Sequence, residues 1–339
     1  MLKISIIIPN YNMSSYIIDT LTSLENQSLD KKLYEVIIVD NNSTDNSYTL
    51  IDNFIKDKNN YHLISEKQQG PSFCRNLGIK LSKSDLIFFT DADCKVENNI
   101  LEKIVIFFQD NKDISIVGGP VYHYHKDIIN LAYHYFRFGF ILDNKNKYVD
   151  YLTTSNLAFR KSIFYKENIF FNTDLPVDGA EDTFLCLKFR EKNYSIINET
   201  TFKVYHIPFF TFFSSLEKTY KIAKNYSLIQ FKIINEEIRI LKKITMYLKL
   251  FSFPLTVSLM LLGIILFLFY LKKLIFFLPT FIIIFYAFFI LFRAAKRYKD
   301  NLKKFNNKYL IIGFMFMLNI YERTVYFLFF YINLLKLHF

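Results

Sequence analysis

The triplet Asp91-Ala92-Asp93 carries the clearest chemistry in this 339-residue sequence. It follows the apolar run Leu86–Thr90, which has the composition of a buried strand. At the end of an extended strand, side chains two residues apart project to the same side, and two carboxylates held together repel unless a cation lies between them. A small number of hard oxygen ligands suits Mg²⁺ or Mn²⁺, which also coordinate substrate phosphates. The triplet therefore predicts a divalent cation site that accepts a phosphorylated substrate.

Strand-like and helix-like segments alternate around this triplet, and they must position it. Short runs rich in Ile, Val and Phe end at turn residues, and segments of helical length lie between them. The alternation predicts βαβ units and an α/β fold with a mostly parallel sheet flanked by helices. The predicted strands are Lys3–Ile8, Val36–Val39, His62–Ser65 and Leu86–Thr90, and the predicted helices lie near Ser14–Gln27, Asp45–Ile55 and Pro71–Leu81.

Polar residues follow three of these four predicted strands. Ligand crevices in parallel sheets lie beyond the carboxyl ends of the strands, so these residues are candidates for binding. Residues 9–12 follow the first strand, Asp40 follows the second, and the aspartate pair follows the fourth. Asn41 to Asp45 are also ordinary turn and N-cap residues, and we favour that structural role for them. For Asp40 and the aspartate pair we favour a role in binding.

The same segments resemble the family 2 inverting glycosyltransferases of the GT-A fold. Four motifs match in order and spacing, and two later segments extend the likeness towards residue 210. The resemblance implies a Rossmann-like domain that transfers a sugar, of hexose type, from a nucleoside diphosphate donor with inversion at the anomeric carbon. Uridine diphosphate donors are the commonest expectation. The matching segments are Ser5–Asn12, Val36–Asp45, Gly70–Gly78, Thr90–Asp93, Thr154–Arg160 and Gly179–Thr183.

The resemblance also assigns nucleotide-binding residues. It implies that Pro9 and Tyr11 line the base pocket and that Asp40 hydrogen-bonds the nucleobase. Asp91 would contact the ribose, and Arg75 would lie near the nucleotide. The alternative for Arg75 is a helix residue that pairs with a local carboxylate.

Candidate metal ligands follow from the same resemblance. Asp93 would hold the Mg²⁺ or Mn²⁺ ion that bridges the diphosphate. His206 matches a position at which some members supply a further metal ligand. A single histidine in an apolar run is equally consistent with a packed core residue, so both interpretations of His206 stay open.

A second acidic pair, Glu181-Asp182, opens a predicted helix over Thr183–Glu191. Acids in a first helical turn complement the helix dipole by ~0.3–1 kcal/mol, so a structural role is open. The catalytic alternative is a general base for the acceptor hydroxyl, since an alcohol is a poor nucleophile and a positioned base supplies ~10²–10⁴ in rate. We predict Asp182 as that base, with Glu181 as the second candidate.

The C-terminal part of the chain differs from the rest in charge and hydropathy. Residues 1–244 hold 30 basic and 29 acidic side chains, whereas residues 245–339 hold 12 and 2. The formal net charge of +11 therefore belongs to an apolar tail and does not indicate a nucleic-acid partner. Two uncharged stretches, Leu250–Leu271 and Leu274–Phe292, are long enough to cross ~30 Å of hydrocarbon. We predict a membrane domain over 245–339 with two or three transmembrane helices. The number is open because charges interrupt the third apolar stretch, Tyr309–Leu335.

The loop between the second and third apolar stretches sets the predicted orientation. It carries a net charge of +6 over sixteen residues, and such loops stay in the cytoplasm. Residues 1–213, the predicted glycosyltransferase domain, then face the cytoplasm from the inner cell membrane in a multi-pass protein. Residues 214–244 form a predicted amphipathic basic helix, which either lies on anionic membrane lipid or docks as an ordinary surface helix.

The sequence contains no tryptophan, and so it lacks the Gln-x-x-Arg-Trp motif of the family's processive polymer synthases. We therefore predict a single sugar addition to a lipid-linked or glycan acceptor in cell-surface polysaccharide synthesis. The alternatives are a polyprenyl-phosphate glycosyltransferase and a non-catalytic scaffold that binds nucleotide sugars. The Glu181-Asp182 pair argues against the scaffold, because a pure binder needs no base.

Overall fold

The computed structural model describes residues 2–125, 127–142, 147–175, 181–208 and 210–223, together with residues 317, 320–322 and 325. The chain divides into two units, Met1–Phe210 and Thr211–Phe339. The predicted membrane stretches, and residues 224–244 of the predicted amphipathic helix, lie almost entirely outside the described residues. Within the described part of the chain, no helix has both the length and the apolarity needed to cross a bilayer.

The first unit alternates strands and helices as its sequence predicts. Its strands are β1 (Ile4–Asn10), β2 (Tyr34–Asp40), β3 (Tyr61–Ser65), β4 (Leu86–Phe89), β5 (Cys94–Val96), β6 (Ile116–Gly118), β7 (Val121–His123), β8 (Tyr148–Val149), β9 (Leu157–Arg160), β10 (Ile196–Asn198) and β11 (Val204–His206). Its helices are α1 (Ile17–Glu25), α2 (Ser47–Ile55), α3 (Pro71–Leu81), α4 (Ile100–Asp110), α5 (Ile128–Leu142), α6 (Ser162–Glu167) and α7 (Glu181–Glu191), with short 3-10 turns at Lys31–Leu33 and Thr154–Asn156.

The main sheet has eight strands in the order β3-β2-β1-β4-β9-β6-β10-β8. The four strands β3, β2, β1 and β4 are parallel, in agreement with the prediction. The other half is mixed, because β9 runs antiparallel to both of its neighbours and β8 runs antiparallel to β10. The prediction of a mostly parallel sheet is therefore correct only for the N-terminal half. Short buried runs look alike in parallel and antiparallel ladders, so the pattern does not distinguish them.

The central strand β1 is buried on both faces, which explains its unbroken run of isoleucines. Ile6, Ile7 and Ile8 are all fully buried, as expected for a strand covered by helices on each side. Helix α3 packs closely on this strand at Gly78, where an added Cβ would lie 2.4 Å from the Cγ2 atom of Ile7. Glycine is therefore required at this position of α3, the helix that also carries Arg75.

A second sheet of three strands, in the order β5-β11-β7, lies beside the residues that follow β4. Strand β11 pairs antiparallel with β5, so that His206 lies opposite Cys94. On its other side β11 pairs parallel with β7, which sets His206 beside His123. This register brings His206 next to the Asp91-Ala92-Asp93 segment, because β5 begins at the following residue.

The second unit is described over residues 211–223 and at residues 317, 320–322 and 325. Residues 212–223 are helical, and the backbone N–H of Ser214 donates to the hydroxyl of Thr211 at 3.2 Å, as at an N-cap. Lys221 pairs with Glu217 one turn before it at 2.8 Å. The domain limits at 213 and 244 stay predictions.

Candidate active site

The Asp91-Ala92-Asp93 segment lies in a turn between β4 and β5, and not at an extended strand end as the sequence predicts. The backbone N–H of Cys94 donates back to the carbonyl of Asp91 at 3.2 Å, and Ala92 is buried. The turn nevertheless gathers the side chains, since ligand atoms of Asp91, Asp93 and Cys94 all lie within 4.8 Å of one another. The predicted juxtaposition of the two carboxylates is therefore present, although the backbone conformation that produces it differs.

The donor set at this turn suits a hard divalent cation. His206 Nε2 lies 3.3 Å from Asp93 Oδ2, so an imidazole contacts one of the two carboxylates. Burial, together with the Asp93 and Asp91 carboxylates, raises the pKa of the Cys94 thiol well above its ordinary value. Carboxylate oxygens with one imidazole fit Mn²⁺ or Mg²⁺ better than a thiolate metal. Asp91 and Asp93 could thus hold such an ion, and His206 lies beside Asp93.

The surroundings of His206 include an aromatic ring and an aspartate. One face of the imidazole stacks on Phe210, with an interplanar angle of 8° and a centroid distance of 6.1 Å. The side chain keeps 16% of its surface exposed and directs Nε2 to Asp93. His206 is therefore packed against an aromatic ring and still faces the aspartate turn.

Asp91 is fixed through both of its carboxylate oxygens. The Ser155 hydroxyl donates to Oδ2 at 2.5 Å, and Arg75 Nη2 donates to Oδ1 at 3.0 Å. Thr90 in turn donates its hydroxyl to the carbonyl of Ser155 at 3.0 Å, which ties the 3-10 turn of Ser155 to the end of β4. The contact of Ser155 with Asp91 was not predicted. Its only signal in the sequence is the motif Thr154–Arg160, which does not reveal a partner.

Arg75 joins the aspartate turn to the acidic pair of α7. Its guanidinium is buried, with Nη1 2.7 Å from Glu181 Oε1 and Nη2 3.0 Å from Asp91 Oδ1. Burial alone would lower the pKa of Arg75, but the Asp91 and Glu181 carboxylates raise it above its ordinary value, so the side chain is charged. The sequence suggested a local carboxylate as the alternative partner of Arg75, whereas both partners in the structure are distant in the chain. The buried Arg75 guanidinium thereby connects the aspartate turn with the acidic pair of α7, which is far away in the chain.

The two acids at the start of α7 have different surroundings. Glu181 is neutralised by Arg75, whereas Asp182 accepts a hydrogen bond from the backbone N–H of Thr183 at 2.7 Å. Burial raises the pKa of Asp182 to about 6; the neighbouring Glu181 adds to the shift and Arg75 opposes it. A carboxylate with this proton affinity suits general-base chemistry near neutral pH. The geometry thus favours Asp182 over Glu181 as a base.

The residues predicted for a base pocket lie at the ends of β1 and β2. Asp40 is buried and accepts hydrogen bonds from Asn10 Nδ2 at 2.7 Å and from the Ser43 hydroxyl at 2.6 Å. Asn10 pairs with Asp40 in the ladder, which places Pro9 and Tyr11 beside it. The Tyr11 side chain is 47% exposed, as a platform for a ligand ring would be. These residues share the carboxyl edge of the parallel strands with the aspartate turn, which follows β4 on the other side of β1.

A sequence comparison with known families agrees with this architecture. Residues 5–167 match the profile described as "Glycosyl transferase family 2". The matched region contains Asp40, Arg75 and both aspartates of the turn, and it ends before α7 and β11. The match shows that this region, slightly less than half of the chain, is similar to that family. The placement of the α7 acids and of His206 comes from the structure.

Curated relatives and a solved structure show similarity over parts of the chain. The poly(ribitol-phosphate) β-N-acetylglucosaminyltransferase TarP of Staphylococcus aureus is 29% identical over 211 residues, which cover 58% of this chain and 60% of that protein. The minor teichoic acid biosynthesis protein GgaA of Bacillus subtilis is 31% identical over 188 residues, covering 50% and 42%. The chain thus spans less than two thirds of the length of these relatives.

The solved structure is a mannosyltransferase of Pyrobaculum calidifontis, in complex with GDP-mannose and Mn²⁺. It matches with a TM-score of 0.56 and 18% identity over 70% of this chain and 65% of that one. At this identity the likeness shows a shared fold, consistent with the GT-A architecture that the motifs predict.

Proposed function

We propose that this protein is an inverting glycosyltransferase that moves one sugar from a nucleoside diphosphate sugar, with uridine as the expected base, to a hydroxyl group of its acceptor. The observation that carries the proposal is the double ion pair of Arg75. It holds Asp91 of the aspartate turn against the Glu181-Asp182 pair of α7. The donor-binding group Asp91 and the proton-accepting pair then lie on either side of the buried Arg75 guanidinium.

The donor would bind along the carboxyl edge of the sheet. Asp40, with Pro9 and Tyr11 beside it, would hold the nucleobase, and Asp91 would accept a hydrogen bond from the ribose. Asp93 and His206 would hold a divalent ion, which when bound offsets the negative charge that develops on the departing diphosphate.

Asp182 would accept the proton of the acceptor hydroxyl as the oxygen attacks the anomeric carbon. The new glycosidic bond forms as the bond to the diphosphate breaks, and the configuration inverts because attack comes from the opposite side. Glu181, held by Arg75, helps to raise the pKa of Asp182.

For the acceptor we propose a lipid-linked or polymeric glycan of the cell surface. Two relatives whose names specify poly(ribitol phosphate) transfer or teichoic acid biosynthesis support a cell-surface acceptor. The apolar stretches after residue 244 support our further proposal that the domain is anchored in the inner membrane and faces the cytoplasm. Transfer to polyprenyl phosphate is the second candidate, because the same stretches would place the site near a lipid carrier.

A donor screen with the full chain in membranes tests the proposal. A panel of nucleotide sugars is incubated with Mg²⁺, with Mn²⁺ or with a chelator, and release of the nucleoside diphosphate is measured. We expect one sugar donor to be consumed only when a divalent cation is present, and its label to enter a lipid-extractable glycan. Label on polyprenyl phosphate itself would favour the second acceptor. Cation-dependent nucleotide binding with no sugar released from any donor would indicate a scaffold and overturn the proposal.

The pKa of Asp182 gives a pH dependence. The base acts only when deprotonated, and its pKa is raised to about 6. We therefore expect kcat/KM to be full at pH 8 and to fall as the pH drops through about 6, by roughly tenfold per unit below it. A pH–rate profile under saturating cation checks this. A flat profile between pH 5 and pH 7 would contradict the assignment of Asp182.

A further inference from the structure

Asn41, which directly follows Asp40, has every hydrogen-bonding group of its side chain engaged. The residue is 4% exposed. Its Nδ2 donates to the carbonyls of Glu66 and Gln68 at 3.1 and 2.7 Å, and its Oδ1 accepts from the backbone N–H of Gly70 at 2.7 Å. All three contacts go to the segment 66–70, which we call the β3–α3 loop. A short polar side chain in a turn motif thus fastens a loop that is remote in sequence.

Backbone contacts around Asn41 strengthen the same connection. Its N–H donates to the carbonyl of Asn10 at 2.7 Å, so that the β1–β2 ladder continues past the strand end. Its carbonyl accepts from Gln69 Nε2 at 2.7 Å, and the N–H of Glu66 donates to the carbonyl of Asp40 at 2.8 Å. The β3–α3 loop is therefore bound to the end of β2 through the carbonyls of both Asp40 and Asn41.

The loop also sets the start of α3. Gly70 precedes the first helical residue with φ of 135°, a conformation that L side chains rarely adopt. Arg75 lies in the second turn of this helix and reaches Asp91 and Glu181. Asn41 consequently lies between two parts of the site. Asp40 precedes it in the chain, and its Oδ1 accepts a hydrogen bond from Gly70, just before the helix that carries Arg75.

We propose that Asn41 is a positioning residue for the donor nucleotide, acting through the β3–α3 loop and Asp40. The inference rests on the proposed function and deepens it, because it assigns donor affinity to a residue whose side-chain hydrogen bonds all go to the β3–α3 loop. An ordinary turn residue would affect stability alone. Asn41 instead fixes the geometry of the residues around the nucleotide, so its loss weakens donor binding.

The test measures donor binding separately from turnover. The probe is uridine diphosphate with Mn²⁺, titrated into the full chain, and KM for the donor identified by the screen is measured alongside kcat. Asn41→Ala removes three hydrogen bonds, each of which contributes modestly, and we expect Kd and donor KM to rise by roughly ten- to a hundredfold while kcat changes by less than about threefold. Asn41→Asp keeps the acceptor for Gly70 but loses both donors, and we expect it to resemble Asn41→Ala.

Two further variants keep the test decisive. Asn46→Ala changes an exposed asparagine at the start of α2 whose side chain makes no cap hydrogen bond, and it should leave Kd unchanged. Gln69→Ala removes one contact from an exposed side chain, so it tests the loop even where Asn41→Ala does not fold, and it should raise Kd by about threefold. Wild-type affinity in folded Asn41→Ala would overturn the inference. If Asn41→Ala does not fold, wild-type affinity in Gln69→Ala would overturn it. Absence of diphosphate binding by the wild-type chain would instead overturn the proposed function.

Discussion

Replacing Asp182 with asparagine is expected to lower kcat by ~10²–10⁴ and to leave donor affinity unchanged. Asparagine has the same shape and keeps an oxygen to accept from the Thr183 N–H, so the start of α7 is preserved. What it loses is the ability to take a proton. Asp182 has the proton affinity for that task because burial, with help from Glu181, raises its pKa to about 6. Single-turnover rates with saturating donor and cation measure the effect directly.

Two other acids of α7 provide the comparison. Glu191→Gln changes an exposed glutamate at the far end of the helix, paired with Lys188, and should leave kcat at the wild-type value. Glu181→Gln removes one of the two ion-pair partners of Arg75, and its effect should be smaller than that of Asp182→Asn. If Asp182→Asn retains turnover while Glu181→Gln abolishes it, the base is Glu181 and our assignment is wrong.

The parallel half of the sheet can be predicted because each of its signals is local. The unbroken isoleucines of β1 indicate a strand covered on both faces. Helix α3 begins and ends at the predicted residues, since Pro71 stands at its first position and the chain becomes extended at Ser82. Asp40 and the aspartate turn then fall on one edge through parallel topology alone.

The contacts that make the site are not local, and the sequence does not reveal them. Nothing near Arg75 indicates that Glu181 will lie 2.7 Å from its guanidinium, because that contact depends on how α7 packs against the sheet. The Ser155 hydroxyl meets Asp91 through β9, whose antiparallel insertion beside β4 was not predicted. The aspartates themselves meet in a turn, where the spacing had suggested an extended strand. The identity of the site residues could thus be predicted from the sequence, whereas the partners that each side chain contacts could be seen only in the folded structure.

Arg75→Met is expected to have the second large effect, on stability and activity together. The variant keeps most of the side-chain volume but leaves the Asp91 and Glu181 carboxylates without their shared cation. Removing one partner of a buried ion pair typically costs 3–5 kcal/mol, so we expect the free energy of unfolding to fall by about that amount. Urea unfolding at pH 7 measures this loss. Activity should fall by more than about a hundredfold in the protein that remains folded, since the aspartate turn and the acids of α7 are no longer held in alignment.

A matched arginine separates loss of stability from loss of the site. Arg160 also has an engaged guanidinium, which donates to the carbonyls of Ile114 and Phe108 at 2.9 and 2.7 Å, at the end of α4 and away from the aspartate turn. Arg160→Met should therefore lower the free energy of unfolding and leave kcat/KM of the folded protein near the wild-type value. Arg75→Lys keeps the charge, but one ammonium cannot reproduce the two-sided geometry of the guanidinium, so stability should recover more than activity. Full activity in folded Arg75→Met would show that the acids of α7 and the aspartate turn align without the double ion pair, and the central element of the proposed site would be lost.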